Sequence, residues 1–370
     1  MAAPLTGPRF GSYVPDEVSW LLTDLSGVEL EAPAEEREES IQSGAAHYAE
    51  SLPVEYRPDA RYLELFHAAL DASAQRLAHA VGAVTELVLA ERGPAPVLVS
   101  LARAGTPVGI LMRRWAAFAR ATSLPHYAIS IVRGRGIDTV ALRWLAAHHD
   151  PESVVFVDGW TGKGAITREL SEAVGKANAE LGTSFDPELA VLADPGSCVR
   201  TFGTRADFLI PSACLNSTVS GLVSRTVLNE SLIGPGQFHG AKFYAELADE
   251  DVSALFLDAV SDRFADVAGL VHEELPQRMT DDRTPTWAGR AAVEQLGARC
   301  GISDLNLIKP GVGETTRVLL RRVPWRVLAR PDRQTDLAHV LLLAEQRGVP
   351  VEYLPDLPYS CVGLIRPAVG

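Results

Sequence analysis

The sequence predicts an α/β protein: a parallel sheet flanked by helices, preceded by a helical N-terminal segment and followed by a small α/β domain. Three observations predict it. Short apolar runs recur between residues 96 and 210, most followed by a glycine-bearing loop and a helical stretch, the pattern of strand–crossover–strand units. A single long helical periodicity lies ahead of them, and a basic tail with its own strand–helix–strand pattern lies behind. With 370 residues, 47% hydrophobic and 22% charged, the chain exceeds one ordinary core and should divide.

Residues 1–58 mix Pro, Gly and the acidic run Glu35-Glu36-Arg37-Glu38-Glu39, and read as a solvated arm or partly helical preface. Within the main domain, 59–308, Leu63, Phe66, Leu70, Leu77, Val81, Val84 and Val88 recur at helical spacing until Gly93-Pro94 ends the pattern. The strands expected next are Pro96 to Leu101, Tyr127 to Val132, Val154 to Val157, Leu189 to Leu192 and Phe208 to Ile210. Right-handed crossovers between parallel strands leave their carboxyl-end loops to build a site. The last domain, 309–370, should hold a strand at Trp325 to Leu328, a helix from Thr335 to Arg347 and a strand from Val349 to Leu354.

Charge bounds the partners. The net −13 argues against general wrapping of a nucleic-acid backbone. From Lys309 onward, however, eight Arg and that Lys against six carboxylates leave +3, so the rest of the chain carries about −16. No basic segment leading into an apolar run opens the sequence, and no stretch of ~20 apolar residues occurs; a cytoplasmic protein without membrane contact is expected. Cys198, Cys214, Cys300 and Cys361 lie far apart with no CxxC pair, so neither a zinc cage nor a disulfide framework is indicated.

Three loops carry candidate chemistry. Val154 to Asp158 is an apolar strand ending in a carboxylate, followed at once by Gly159-Trp160-Thr161-Gly162-Lys163-Gly164-Ala165 and a helical pattern. Free amides at such a helix start can cradle a phosphate, with Asp158 on the hydroxyls of a ribose. A P-loop is excluded, because Gly164 follows Lys163 where Ser or Thr would be needed. Upstream, Arg103-Ala104-Gly105-Thr106 precedes Pro107 at a helix start and suits a pyrophosphate. Between them, Arg133 and Arg135 sit on a glycine-rich loop fit to close over a polyanion.

Taken along the chain, as pyrophosphate loop, flexible arginine loop and acidic-strand phosphate loop, the three loops resemble the type I phosphoribosyltransferase fold. More narrowly, Ser-Leu-Ala-Arg-Ala-Gly-Thr-Pro, Ile-Val-Arg-Gly-Arg-Gly-Ile-Asp, Val-Asp-Gly-Trp-Thr-Gly-Lys-Gly and Ile-Pro-Ser-Ala-Cys-Leu-Asn-Ser-Thr resemble the phosphoribosyltransferase-like family encoded with tellurium-resistance genes, which also bears the label cysteine protease StiP. The resemblance covers His47 to Tyr244, and Thr316 to Pro367 is similar to a Pelota-type RNA-binding domain. It implies transfer or processing of ribose 5-phosphate from a pyrophosphorylated donor, with Asp158, Arg133 and Arg135 catalytic. Residues 158–165 would hold the ribose phosphate and 103–106 the pyrophosphate. Magnesium would enter with the donor, with Asp158 as its protein contact and no protein cage. Cys214, Asn216, Ser217, Thr218, His239 and Lys242 would line an acceptor pocket. RNA would bind the C-terminal domain, and a homodimer stays open. The sequence departs from the transferase pattern in having Gly159 where a second acidic residue is usual and Lys163 where a small residue is customary.

Two other readings stand beside this one. In a cysteine protease, Cys214 would be the nucleophile, His239 or His126 its base, and Asn216 or an aspartate the orienting group. In a non-catalytic RNA-binding regulator, the ribose-phosphate pocket would only sense its ligand.

Overall fold

The computed structural model describes residues 3–32, 47, 49–55, 57, 60–322 and 324–366. Its first strands are two-residue pairs: β1 (Ser19–Trp20), β2 (Thr23–Asp24), β3 (Glu31–Ala32) and β4 (Leu52–Pro53). Then α1 (Ala60–Arg92), β5 (Val97–Ala102), α2 (Thr106–Arg120), β6 (His126–Val132), β7 (Gly136–Ile137), α3 (Thr139–His148), β8 (Val154–Trp160), α4 (Ala165–Leu181), β9 (Leu189–Ala193) and β10 (Thr201–Thr204) form the strand–helix alternation. After β11 (Gly240–Ala241) come α5 (Ser253–Ser261), α6 (Phe264–Thr280) and α7 (Ala288–Cys300). The chain ends with β12 (Ile308–Pro310), α8 (Val312–Arg321), β13 (Pro324–Ala329), α9 (Gln334–Gln346), β14 (Val351–Tyr353) and β15 (Cys361–Ile365).

The expected parallel sheet is present, in the order β1-β6-β5-β8-β9-β10, with β7 folded back antiparallel on β6. Strand β5 lies between β6 and β8, and its run Val97-Leu98-Val99-Ser100-Leu101 is buried. Helices cover both faces, so such a strand reads as a continuous apolar run rather than an alternation. The predicted long helix is α1; Phe66, Leu70, Leu77, Val81, Val84 and Val88 are buried, packing against α2, α6 and β10.

Two expectations are corrected here. The segment before residue 58 is not simply a solvated arm: Phe10, Tyr13, Trp20, Leu21 and Leu22 are buried, and β1 extends the sheet beside β6. Its aromatics supply the apolar area that makes it part of the core, whereas the acidic run Glu35 to Glu39 lies outside the described residues. Phe208 to Ile210 is buried but not a strand; the sixth strand is Thr201–Thr204, paired with β9. An apolar triplet marks burial, and only backbone pairing makes it a strand.

Strands β12, β15, β13 and β14 form a second, mostly antiparallel sheet. Helix α7 shares its core: Ala292, Val293 and Leu296 pack with Ile308, Leu328, Val362 and Leu364. A larger cluster runs from the first sheet through Phe208, Ile210 and Ala213 to Val312 and Leu319, so the C-terminal unit is joined to the main one by apolar packing as well as by chain.

Candidate active site at the carboxyl edge of the sheet

Strands β5, β6, β8, β9 and β10 all end at one edge, and their following loops bring most of the candidate residues there. The edge has two halves.

On the β5 side, α2 begins at Thr106 without a side-chain cap, and the Thr106 hydroxyl is buried with no hydrogen-bond partner among the described residues. Arg103 turns away from that helix start. Its Nη2 donates to Asn216 Oδ1 at 2.6 Å, and its Nη1 lies 3.9 Å from Glu55. The Glu55 carboxylate also accepts from the Ser217 amide and hydroxyl, at 2.8 and 2.7 Å. Lys242 pairs with Glu31 at 2.8 Å, and Tyr244 lies beneath its ammonium. Arg103, Asn216, Ser217 and Lys242 therefore belong to ion-paired networks closed by carboxylates from the N-terminal segment, while Thr218 is buried in the short helical turn that follows.

His239 and His126 do not meet Cys214. His126 is buried, with Nε2 2.7 Å from Ser100 Oγ and Nδ1 2.7 Å from the Glu17 carbonyl; burial lowers its pKa to about 4. His239 Nδ1 lies 2.8 Å from Ser130 Oγ, and its amide donates to Asp138 at 2.6 Å. Cys214 itself is fully buried between α1 and α8; its carbonyl accepts from the Tyr62 hydroxyl, and its neighbour Ala213 touches Gly313.

On the β8 side, the loop 161–164 is enclosed. The Thr161 hydroxyl donates to Asp194 at the tip of β9, and Arg205 pairs with the same carboxylate. Asp194 also accepts from the amides of Cys198 and Val199 at 2.9 Å. Gly162 presents its carbonyl to the Tyr359 hydroxyl at 2.9 Å, and Lys163 Nζ donates to the carbonyls of Leu305 and, at 3.2 Å, Ile308. Gly164 caps α4 in the left-handed region (φ 69°), where a β-carbon would lie 2.4 Å from Trp287 and 3.0 Å from Cys198 Sγ; only glycine fits both the conformation and the space. Trp287 and Gly289 donate backbone hydrogen bonds to the carbonyls of Ser197 and Gly196, both 2.9 Å.

Asp158 is bonded to the Gly159 amide at 2.8 Å, and burial raises its pKa to about 6 against the opposing pull of Arg317. Trp160 carries the Arg317 guanidinium over its ring at 4.6 Å, and Gly313 packs on it. The two loop arginines diverge: Arg133 reaches Asn306 at 3.3 Å, whereas Arg135 faces Glu50 at 3.5 Å. Ala104 and Gly105 pack on the backbone of Val157 to Gly159, and Ala165 opens α4. The structure thus gathers residues 158–164 and Arg133 beneath the C-terminal unit, and sets Arg103, Asn216, Ser217 and Lys242 in the other half.

Cys198 was not among the candidates read from sequence. It follows β9 with its sulfur 3.3 Å from the Gly196 carbonyl and 3.8 Å from that of Gly162, beside the start of α4. Burial, and after it the Asp194 carboxylate, pushes its thiol up to about 12. The available signal was Asp194, a carboxylate at a strand tip like Asp158.

These features define a two-part α/β protein: a mostly parallel sheet with a thiol and two carboxylates at its carboxyl edge, covered there by a second α/β unit. Residues 11–261 match the family described as tellurite-like stress resistance cysteine protease StiP, and residues 287–367 match the PELOTA RNA binding domain. The chain is 35% identical over 369 residues to "Cysteine protease StiP" of Acinetobacter baylyi, covering 96% of this chain and 94% of that protein. The chain belongs to the StiP family. This corrects the phosphoribosyl-transfer reading, since the matched family and relative are named for cysteine protease activity. Magnesium was expected as the companion of the pyrophosphorylated donor, and neither the fold nor the family match tests it. Among the described residues no group of three or more His, Cys, Asp and Glu is arranged to hold a metal, and no helix is long and apolar enough to cross a membrane.

Proposed function

We propose that the chain is a cysteine peptidase of the StiP type whose nucleophile is Cys198, held here in a closed form. Of the four cysteines, Cys198 and Cys214 lie within the matched residues 11–261. One observation favours Cys198: its sulfur abuts the loop that opens α4, at the sheet edge where substrate would approach once the cover moves. A helix start stabilises a thiolate, and its free amides stabilise the oxyanion formed when sulfur attacks a peptide carbonyl. The thioester formed as the amine departs, taking the thiol proton, is then hydrolysed by water. Cys214, sealed in the shared core, has no such approach.

As it stands, the Cys198 thiol is protonated and covered by Trp287 and Tyr359. Displacing them removes the burial that keeps the thiol neutral. The test is hydrolysis of an unfolded protein substrate such as reduced casein by the full chain. Cys198→Ala should lower the rate roughly a thousandfold or more, and Cys214→Ala with an unchanged circular dichroism spectrum should retain it. Full activity in Cys198→Ala overturns the assignment.

A second reading applies to the C-terminal unit. Its basic balance and its match to an RNA-binding family support RNA binding there, alongside the peptidase. Titration of the full chain with labelled single-stranded RNA tests this, and absence of any salt-sensitive binding overturns it.

A further inference from the structure

We infer that RNA is held at the seam between the two units, by Arg133 and Lys163 of the sheet's carboxyl edge together with Lys309, Arg317 and Arg322 of the C-terminal unit. The inference rests on the RNA-binding reading above and adds to it a surface that the C-terminal unit alone does not possess.

One short segment, residues 304–309, gathers the cations. Arg133 Nη1 donates to Asn306 Oδ1 at 3.3 Å, and Lys163 Nζ donates to the carbonyls of Leu305 and Ile308, the latter at 3.2 Å. Lys309 is the next residue. Arg317, in α8, places its guanidinium 4.6 Å from the Trp160 ring centre and 3.0 Å from Glu314, and Arg322 follows that helix. Arg133 and Arg322 are exposed, while Lys163, Lys309 and Arg317 are half-buried, so the set runs from the surface into the seam.

Charge makes this a place for a polyanion. Five cations face Asp158, Asp304 and Glu314, with Glu169 on the Gly134 amide beside Arg133, and so outnumber the carboxylates in a chain whose net charge is −13. Burial first, and then the neighbouring cations, push Lys163 down to about 8, and the same causes lower Lys309. Such mutual repulsion is what a phosphate backbone relieves, and an otherwise acidic surface confines the strand to this spot. A row of cations leading inward from solvent suits a chain of phosphates better than one small anion.

The experiment is fluorescence anisotropy of a short labelled oligouridylate with the full chain across a salt series. Arg133→Ala should weaken binding roughly three- to tenfold and lower the steepness of the log–log salt dependence by about one. Lys309→Gln should do likewise, which keeps the test open should one variant fold poorly. Arg326→Ala, whose side chain pairs with Glu352 at the far strand β14, should change neither quantity. Unaltered binding in Arg133→Ala and Lys309→Gln, with RNA still bound, overturns the seam while sparing the RNA reading. No binding by the unsubstituted chain overturns both. Displacement by inorganic phosphate at concentrations too low to alter ionic strength would make the seam a small-anion site and overturn the inference as well.

Discussion

The two halves of the carboxyl edge are closed by different means. Around Arg103, closure comes from the N-terminal segment and the loops after β10: Glu55 on Ser217 and Arg103, Glu31 on Lys242. Around Thr161 to Gly164 it comes from the C-terminal unit, through Tyr359 on Gly162, Trp287 against Gly164, and the carbonyls that hold Lys163. The first closure is woven into the same apolar core as the sheet, with Phe10, Tyr13 and Trp20 in it. The second crosses a seam between two units, each with its own sheet, and adds polar contacts to an apolar cluster that runs on through Phe208 and Ala213 to Val312 and Leu319.

Asp207 should show the largest effect. Its carboxylate accepts from the Val312 amide at 2.9 Å and the Ser360 amide at 2.7 Å, so it holds both the start of α8 and the approach to β15. Asp207→Ala leaves two donors unpaired, at a cost of about 2–4 kcal/mol. Chemical denaturation should register that loss, and alkylation of Cys198 should accelerate. Unchanged alkylation would mean that the seam does not guard the thiol.

Arg103→Ala attacks the other half. It strips Asn216 and Glu55 of a cationic partner, at about 1–3 kcal/mol. Stability should fall while hydrogen exchange at residues 161–165 stays as it was. Faster exchange there would show that the two closures are one.

Legibility in the sequence divides along the same line. Helix α1 and strands β5, β6, β8 and β9 were readable because burial on both faces writes a long periodicity or a continuous apolar run. The loops that gather at the edge were readable too, from Gly105, Gly134, Gly162 and Gly164. The groups that cover them were not. Tyr359 and Trp287 are, in sequence, an aromatic in a turn and one before a helix, and only the fold brings them onto residues 162–164. Ser100 and His126, 26 residues apart, meet because β5 and β6 lie side by side, and Asp194 and Thr161, 33 apart, because β8 and β9 end together; no local spacing encodes either. Cys214 drew attention through its polar neighbours, yet those neighbours serve Arg103 and Glu55, and the sulfur lies in the core.

Asp158 offers a pH-dependent test. Its folded pKa of about 6 stands above the ordinary 3.8, so folding favours the protonated form. That contribution is fully present below about pH 4 and is lost as pH rises through about 6. Asp158→Asn, which keeps an acceptor for the Gly159 amide, should gain about 1–2 kcal/mol near pH 7.5 and nothing near pH 4. A gain that is equal at both pH values would remove the carboxylate's charge as the cause.

The smallest change expected is at Tyr359. Its hydroxyl donates to the Gly162 carbonyl at 2.9 Å while its ring stays in the core of the C-terminal unit. Tyr359→Phe removes the bond but not the packing, for about 0.5–1.5 kcal/mol. Global stability should fall by no more than that, whereas alkylation of Cys198 should quicken by a factor of about 2–10. Equal slowing of both Tyr359→Phe and the parent by added RNA would place the strand across the closed seam. Acceleration by RNA instead would mean that the polyanion and the cover compete for the same cations, and the closed form would then be the RNA-free one.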